Sequence, residues 1–317
     1  MPRCSVIVVT YNSAAAIESC LSALASADCE VVVVDNASQD NTAALTLAVA
    51  NRMPLQLITL PSNAGFAEAV NQGVRAATAD VLLLLNPDAV AELGAIDAIL
   101  DCFLTSEADA VGGALLDENS QPDKGFSFRR LPTLASLAFE VLLINQVWPD
   151  NPANRKYRCL DANYGQRQRV EQPAGACLAV TRKAWNSVSG MDSAFFPVWF
   201  EDVDFCARLI QRGAAIFYCP QARFRHSGAH SVGLLTFEQK QLFWYRNMIR
   251  YAQKHFAAAS RLILRLAIVT GMGLRTLACL LGRGPHGVPT GEATRAYGRV
   301  AVMALDGGRD ATGASAK

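Results

Sequence analysis

The stretch Ser5-Val6-Ile7-Val8-Val9-Thr10-Tyr11-Asn12 indicates the fold class, because a nearly unbroken apolar, β-branched run ends abruptly in polar residues. Such a run is typical of a strand that is covered on both faces. Similar runs predict further strands at residues 31–35, 55–60, 81–86 and 110–116. Apolar residues spaced by three and four predict helices between them, at residues 14–25, 41–51, 65–77 and 92–104. The alternation predicts an α/β fold with a mostly parallel central sheet flanked by helices.

Composition narrows the class of protein. The chain has 317 residues, 51% of them hydrophobic, which is enough for a sizeable core. Its 29 basic and 28 acidic residues give no overall field that favours nucleic acid as a partner. Nine scattered cysteines without a C-x-x-C spacing fit a reduced setting, and the first residues lack the features of a secretory leader. We therefore expect a cytoplasmic protein.

The order of segments predicts one large domain over residues 1–255 and a C-terminal region over residues 256–317. Residues 117–170 break the strand and helix rhythm with four prolines and a concentration of basic residues. We expect this segment to be an insertion above the carboxyl edge of the sheet. Beyond Gly282 the glycine, alanine and threonine content predicts a flexible tail.

Residues 262–281 form a strongly apolar segment that approaches the length of a membrane span. Arg261, Arg265, Arg275 and Arg283 fall within roughly 80° on a helical projection. This pattern favours an amphipathic helix lying in a membrane interface, with its arginines toward lipid headgroups. Two alternatives remain at this point, a helix packed on the protein or on the partner of a homodimer, and a true membrane span.

Polar residues follow the ends of the predicted strands. Thr10-Tyr11-Asn12 follows the first strand, Asp35-Asn36 the second, and Asn86-Pro87-Asp88 the fourth, while Asn63-Ala64-Gly65 opens a helix. Each alone is ordinary turn chemistry, but ligands of open α/β sheets bind beyond the carboxyl ends of the strands. No glycine-rich dinucleotide or P-loop motif is present, so phosphate requires another device. A divalent cation on Asp88 is one such device.

A second acidic stretch, Trp199-Phe200-Glu201-Asp202-Val203-Asp204-Phe205, sets three carboxylates among apolar residues. Buried carboxylates are costly unless they are paired, bound to a metal or catalytic. The simpler interpretation is a helix start at which acidic residues complement the helix dipole.

Taken in order, these motifs resemble the family-2 glycosyltransferases, and in particular their bacterial rhamnosyltransferase-like branch, over about residues 5–250. Besides the motifs above, Asn71-Gln72-Gly73, Gly175-Ala176-Cys177 and His226-Ser227-Gly228 carry the resemblance. It implies a GT-A fold with a C-terminal helical extension, and inverting transfer from a nucleotide-diphospho-sugar.

The resemblance also implies roles for individual residues. Asp35 would accept a hydrogen bond from a pyrimidine base, and Asp88 and His226 would hold Mg²⁺ or Mn²⁺. His230 is the alternative to His226. Asp202 would be the general base, and Glu201 would position hydroxyl groups of the acceptor or the sugar. Asp204 would cap or orient the helix. The donor would be bound by the remaining candidate residues, Thr10, Asn12, Asn63, Gly65, Asn86, Gly175 and Ala176.

The expected activity is metal-dependent transfer of L-rhamnose from dTDP-rhamnose to a lipid-linked or cell-envelope glycan. A UDP-sugar donor is the alternative within the class. A non-catalytic module that binds nucleotide-sugar or glycan is the alternative outside it. The acidic residues Asp35, Asp88 and Asp202 speak against the second alternative, since loss of catalysis usually erodes such positions.

Overall fold

The computed structural model describes residues 3–228 and 233–308. The strands are β1 Ser5–Thr10, β2 Glu30–Asp35, β3 Gln56–Thr59, β4 Val81–Leu85, β5 Ala89–Ala91, β6 Ala110–Leu116, β7 Phe128–Arg129, β8 Gln168–Arg169, β9 Gln172–Pro173, β10 Cys177–Thr181 and β11 Ile216–His226. The helices are α1 Ile17–Leu24, α2 Thr42–Ala50, α3 Phe66–Ala76, α4 Ala95–Thr105, α5 Leu134–Val141, α6 Ile144–Val147, α7 Pro152–Tyr157, α8 Arg182–Ser187, α9 Glu201–Gln211, α10 Phe237–His255, α11 Ala258–Leu280 and α12 Thr290–Leu305.

The chain divides into two compact units. Unit 1 comprises Met1–Leu131, Arg158–Pro197 and Glu201–Gly233, and unit 2 comprises Pro132–Tyr157, Val198–Phe200 and Leu234–Lys317. This division differs from the boundary expected at residue 255, because α10 packs against α11 and α12 and belongs with them. The segment 117–170 is likewise not one insertion, since its middle part lies in unit 2 and its two ends in unit 1.

Unit 1 is built on a nine-stranded sheet in the order β3-β2-β1-β4-β10-β6-β11-β5, with β8 paired to β11. The four predicted strands β1 to β4 are parallel, and β6 is parallel to β11. Strand β10 runs antiparallel between β4 and β6, which the sequence pattern did not predict. The predicted α/β fold with a central, largely parallel sheet flanked by helices is confirmed.

Both faces of this sheet are buried, as the unbroken apolar runs predict. Alternate residues of β1 enter different cores, with Val6 and Val8 on one face and Ile7 and Val9 on the other. Helix α3 approaches the second face closely, because a Cβ at Gly73 would lie 2.5 Å from Cγ2 of Ile7. Each fully buried valine or leucine contributes about 1.5–3 kcal/mol, so the alternation fixes the strand register.

The register brings the carboxyl ends of the strands together. Thr10 pairs with Asp35 across β1 and β2, and Val8 pairs with Leu85 across β1 and β4. The polar residues that follow these strands therefore emerge along one edge, where open α/β sheets bind their ligands.

Unit 2 is helical, and its structure corrects two expectations for the C-terminal region. Residues beyond Gly282 are not all a flexible tail, because α12 buries Ala293, Ala296 and Val300 against its neighbours. Residues 309–317 lie outside the described part of the chain. The helix predicted near residues 262–281 is α11, which packs against α5, α10 and α12.

The arginines of α11 do not form the expected stripe toward lipid headgroups. Arg265 donates to the carbonyls of Ala304 and Leu305, at the end of α12. Arg275 donates to carbonyls near the end of α5, including that of Val141. Arginine satisfies carbonyls that a helix end leaves without partners, so these two charges have a structural role.

Candidate active site

The first part of the site lies at the ends of β1 and β2. Asp35 is only 2% exposed, and its Oδ1 accepts a hydrogen bond of 3.0 Å from the Thr10 hydroxyl. Its Oδ2 accepts a 3.3 Å bond from the backbone N–H of Ser38. These two donors orient the carboxylate, and its remaining lone pairs can accept from an imide N–H.

Asn12 connects the same two strand ends. It has a positive φ of 51°, which asparagine tolerates better than most residues. Its N–H donates to the Ser38 hydroxyl at 2.9 Å, and its Oδ1 accepts from the N–H of Gln39 at 2.6 Å. Asn12 therefore holds the loop that carries Ser38 in place.

Asn63 and Gly65 are joined to this edge through Asn36, which sequence reasoning did not assign to the site. The Asn36 amide donates to Oδ1 of Asn63 at 3.0 Å, and its own Oδ1 accepts from the N–H of Ala64 at 2.8 Å. The Asn63 oxygen also accepts from the N–H of Gly65. The sequence signal for Asn36 was its position directly after Asp35 at the end of β2. Asp35 contacts Thr10, whereas Asn36 contacts the next loop.

A chain of contacts connects the Asn86-Pro87-Asp88 turn to the acidic helix. The N–H of Asn86 donates to the carbonyl of Ala176 at 3.0 Å. The N–H of the preceding Gly175 donates to Oδ2 of Asp202, also at 3.0 Å. A Cβ at Gly175 would lie 3.1 Å from Cβ of Asp202, so this glycine permits close contact with the carboxylate.

The carboxylate of Asp202 is held by further donors. Its Oδ2 accepts from the Gln172 amide at 3.2 Å, and its Oδ1 accepts from the N–H of Val203 at 2.8 Å. Burial raises the pKa of Asp202, and the N–H groups of Gly175 and Val203, followed by the Arg129 charge, oppose that rise. A hydrogen-bonded carboxylate with a raised pKa is suited to act as a general base.

Glu201, its neighbour, is 5% exposed, and its Oε2 has no hydrogen-bond partner among the described residues. Burial, and then the adjacent charge of Asp202, raise the pKa of Glu201 well above its usual value. The pair can thus carry one proton, with Glu201 as the protonated member and a hydrogen-bond donor.

Gln172 and Arg129 are further residues that sequence reasoning missed near Asp202. They face each other in the two-stranded pairing of β7 with β9. No motif marks them, because strands of two residues have no usable periodicity.

Asp204, the third acid of the stretch, has a structural partner. It is fully buried, and its Oδ2 accepts from Nε of Arg208 at 2.7 Å. Arg208 also donates to the carbonyls of Val188 and Gly190. The expectation that Asp204 orients its helix agrees with this pair.

Asp88 and His226, 138 positions apart in the sequence, are brought together. Nε2 of His226 lies 3.3 Å from Oδ1 of Asp88, and both side chains are less than a tenth exposed. That nitrogen is buried, and no described residue forms a hydrogen bond with it. The His226 ring also stacks on Phe126, with centroids 5.3 Å apart.

These two donor atoms fit a divalent cation. A buried imidazole nitrogen without a hydrogen bond, next to a carboxylate oxygen, is an arrangement that Mn²⁺ accepts. Within residues 3–228 and 233–308 there is no cluster of three or more His, Cys, Asp or Glu suited to a metal. With Asp88 and His226 as ligands from the described residues, substrate phosphates would complete the shell. His230, the alternative to His226, lies outside the described residues.

Comparison with known proteins identifies the family. The model of glycosyl transferase family 2 matches residues 5–152. An N-acetylglucosaminyl-diphospho-decaprenol L-rhamnosyltransferase of Mycobacterium tuberculosis is 32% identical over 246 residues, which cover 72% of this chain and 77% of that protein. The chain belongs to glycosyltransferase family 2. This glycosyltransferase is therefore a nucleotide-sugar-dependent enzyme, of the rhamnosyltransferase type within its family.

Solved structures agree on the fold of this glycosyltransferase. A mannosyltransferase of Pyrobaculum calidifontis, in complex with GDP-Man and Mn²⁺, aligns over 96% of this chain and 87% of its own with a TM-score of 0.56 and 19% identity. Residues 1–349 of TarS from S. aureus align over 96% of this chain and 92% of their own, with a TM-score of 0.52 and 16% identity. The predicted GT-A fold is confirmed.

Proposed function

We propose that this glycosyltransferase is an inverting, divalent-metal-dependent rhamnosyltransferase that moves L-rhamnose from dTDP-rhamnose to a lipid-linked or cell-envelope glycan. The rhamnosyltransferase relative supports the sugar and, by its name, a lipid-diphosphate acceptor. The main structural support is the contact chain from Asn86 through Ala176 and Gly175 to Asp202. It joins a candidate base to the turn that carries Asp88.

The proposed roles combine this geometry with those that the family resemblance implies. Asp202, ionised and oriented by N–H donors, accepts the proton of an acceptor hydroxyl as that oxygen attacks the anomeric carbon. The protonated Glu201 donates a hydrogen bond to a sugar or acceptor oxygen. Asp35 accepts a hydrogen bond from the pyrimidine base of the donor, and Thr10 and Asn12 hold the strand ends around Asp35. The donor is lined by Asn63, Gly65, Asn86, Gly175 and Ala176.

Asp88 and His226 would hold Mg²⁺ or Mn²⁺. A divalent ion bound there would neutralise charge that develops on the departing nucleoside diphosphate. The ion-bound mannosyltransferase of similar fold supports a metal in this fold class.

The donor assignment is tested by thermal unfolding of the purified protein with dTDP, UDP and GDP and their sugar conjugates, with and without Mg²⁺ or Mn²⁺. At equal concentrations, we expect dTDP and dTDP-rhamnose to stabilise the protein more than the other ligands do. The free energy of unfolding should rise by about 2.7 kcal/mol when either ligand is present at a hundred times its Kd. Asp88→Asn and His226→Gln should remove the metal-dependent part of that stabilisation, because each loses one donor atom.

The alternatives give different results. A preference for UDP and a UDP-sugar retains the glycosyltransferase but discards rhamnose. Stabilisation by nucleotides without release of nucleoside diphosphate in the presence of a glycan acceptor supports the non-catalytic module. Metal-dependent stabilisation that survives in both Asp88→Asn and His226→Gln contradicts the metal site.

We also propose that this glycosyltransferase lies in the cytoplasm and contacts the inner face of the cell membrane through an apolar face of α11. The nine free cysteines fit a reduced compartment. Helix α11 is long and apolar enough to cross a bilayer, and 33% of its most apolar 18-residue stretch is buried in the protein. Its exposed leucines and isoleucine, between 42% and 68% accessible, are Leu262, Ile263, Leu266, Leu274, Leu277 and Leu280.

Charge supports an anionic lipid surface as the partner of this face. Unit 2 contains fourteen Lys and Arg residues and six Asp and Glu residues, which give it a formal net charge of +8. The formal net charge of unit 1 is −7. The apolar face of α11 suits the hydrocarbon interior of a bilayer, and the positive charge of unit 2 suits anionic headgroups.

We expect the full-length protein to sediment with phosphatidylglycerol vesicles, and less with phosphatidylcholine vesicles or in high salt. The triple variant Leu262→Ser, Leu266→Ser, Leu277→Ser should bind the anionic vesicles more than tenfold less, since each leucine inserts apolar area. The matched control is Leu93→Ser with Leu104→Ser, two leucines of unit 1 that are 95% and 78% exposed.

Vesicle binding that is unchanged in the triple variant contradicts the membrane contact. If that variant instead converts a dimer to a monomer by light scattering and leaves vesicle binding intact, the face joins two copies of the chain.

A further inference from the structure

A cavity of about 420 Å³ in unit 1 lies outside the residues proposed for sugar transfer. It is lined by Cys102 and Asp101 of α4, Cys219 of β11, and Arg167, among others. Two cysteines and an arginine on one cavity form a combination that sugar transfer does not require.

The two cysteines come from elements that pack together. Cys102 lies in the last turns of α4, and its neighbour Ala98, one turn earlier, accepts a 3.5 Å contact from Sγ of Cys219. Both residues are at most 3% exposed as whole residues, and both are free thiols. Access to their sulfur atoms is therefore through the cavity that they line.

Arg167 is fixed over the same end of α4. Its Nη1 donates to the Thr105 hydroxyl at 2.7 Å, one turn beyond Cys102. A guanidinium held in this place favours a negative charge on a neighbouring sulfur.

The surroundings make the two thiols unequal. The Cys219 thiol, the Ser106 hydroxyl and Arg167 lower the pKa of Cys102 against the opposing effect of burial. The same contact with Cys102, together with burial, raises the pKa of Cys219. Asp101 is the acidic group on the cavity wall, and Arg167 is the basic one.

Other cysteines provide an internal comparison. Cys29 and Cys159 are more exposed than this pair, but burial of their sulfur atoms raises the pKa of each. If exposure controls the reactivity of the thiols, Cys29 and Cys159 will react before Cys102. If ionisation controls it, Cys102 will react first.

We propose that Cys102 and Cys219 are a reversible modification site, at which a peroxide that enters the cavity converts the two thiols to a disulfide. The Cys102 thiolate attacks one oxygen of hydrogen peroxide, the O–O bond breaks, and the released hydroxide takes a proton to give water and a sulfenic acid. The Cys219 sulfur, giving up its proton, then attacks the Cys102 sulfur and displaces a second water. Two thiols are oxidised, one peroxide is reduced to two waters, and a dithiol such as dithiothreitol reverses the change.

The experiment treats the full-length protein with stoichiometric hydrogen peroxide and maps its cysteines by mass spectrometry without reduction. We expect one peptide pair, containing Cys102 and Cys219, joined with the loss of two hydrogen atoms and separated again by dithiothreitol. In Cys219→Ser, Cys102 should persist as a sulfenic acid that dimedone traps. Cys159→Ser is the control variant and should form the same linked pair as the original protein.

A second measurement does not depend on forming the bond. At pH 7, limiting iodoacetamide should label Cys102 at least tenfold faster than Cys29 or Cys159, and Arg167→Met should reduce that preference severalfold. Linkage through other cysteines, or faster labelling of Cys29 and Cys159 in the folded protein, would overturn the proposal. Thermal unfolding of each variant confirms that the labelled state is folded.

Discussion

Asp202→Asn will lower the rate of sugar transfer by about two to four orders of magnitude while the nucleotide-sugar donor still binds. Asparagine preserves the size of the side chain and its oxygen can still accept from the N–H of Gly175. It cannot accept the proton of the attacking hydroxyl. Release of nucleoside diphosphate with acceptor present measures the rate, and thermal unfolding with donor measures binding.

The dependence of transfer on pH supplies a second readout of the same residue. Burial raises the pKa of Asp202, and the base must be ionised to work. The kcat/KM of the original protein should therefore fall as pH decreases through a pKa above the usual aspartate range. The residual activity of Asp202→Asn should lack this acid limb.

Two variants serve as comparisons. Asp97→Asn makes the same chemical change at a carboxylate that is 67% exposed, and it should leave transfer unaltered. Glu201→Gln keeps a hydrogen-bond donor in place of the protonated acid, so it should lose less activity than Asp202→Asn. Full activity in Asp202→Asn, or a larger loss in Glu201→Gln, would assign the base to another residue.

Arg208→Met will destabilise the protein by about 3–5 kcal/mol, because it leaves the Asp204 carboxylate buried without its counter-charge. Asp204 has no side-chain exposure, whereas the arginine is 19% exposed. The substitution also removes donors from the carbonyls of Val188 and Gly190. Chemical denaturation followed by circular dichroism measures the change in the free energy of unfolding.

Arg212→Met is the matched control, since it removes the same charge from an exposed position one turn further along the chain. Its effect should be within about 0.5 kcal/mol. The double variant Asp204→Leu with Arg208→Met should recover part of the stability, because it replaces both members of the pair by apolar groups. Equal effects of Arg208→Met and Arg212→Met would show that the pair contributes nothing.

Strand and helix positions up to residue 116 were predictable because local pattern and tertiary burial agree there. The strands predicted at residues 5–10 and 110–116 match β1 and β6. The meeting of Asp88 with His226 was predictable only through the order of motifs, since no local spacing connects them. The contact of Asn36 with Asn63 could not be predicted from the sequence, because it depends on the register of the sheet.

Features that depend on distant carbonyls or short strands escaped prediction. Arg265 and Arg275 appear as a cationic stripe on a helical projection, but their partners are the ends of helices far away in the chain. Residues beyond Gly282 have the composition of a tail, yet small side chains such as Ala293 and Ala296 let α12 pack closely. Composition cannot distinguish close packing of small residues from absence of packing.

The Gly175 contact has a consequence for how this site can evolve. The backbone at position 175 and the side chain at position 202 occupy adjoining space, with a Cβ at 175 falling 3.1 Å from that of Asp202. A substitution at one position therefore affects the other. As long as an aspartate stands at 202, a side chain at 175 requires that aspartate to move by a few tenths of an ångström, so a lineage that acquires one there must shift or shorten residue 202 as well. The two positions are expected to change together, so that a departure from glycine at 175 would signal an altered carboxylate before any assay was made.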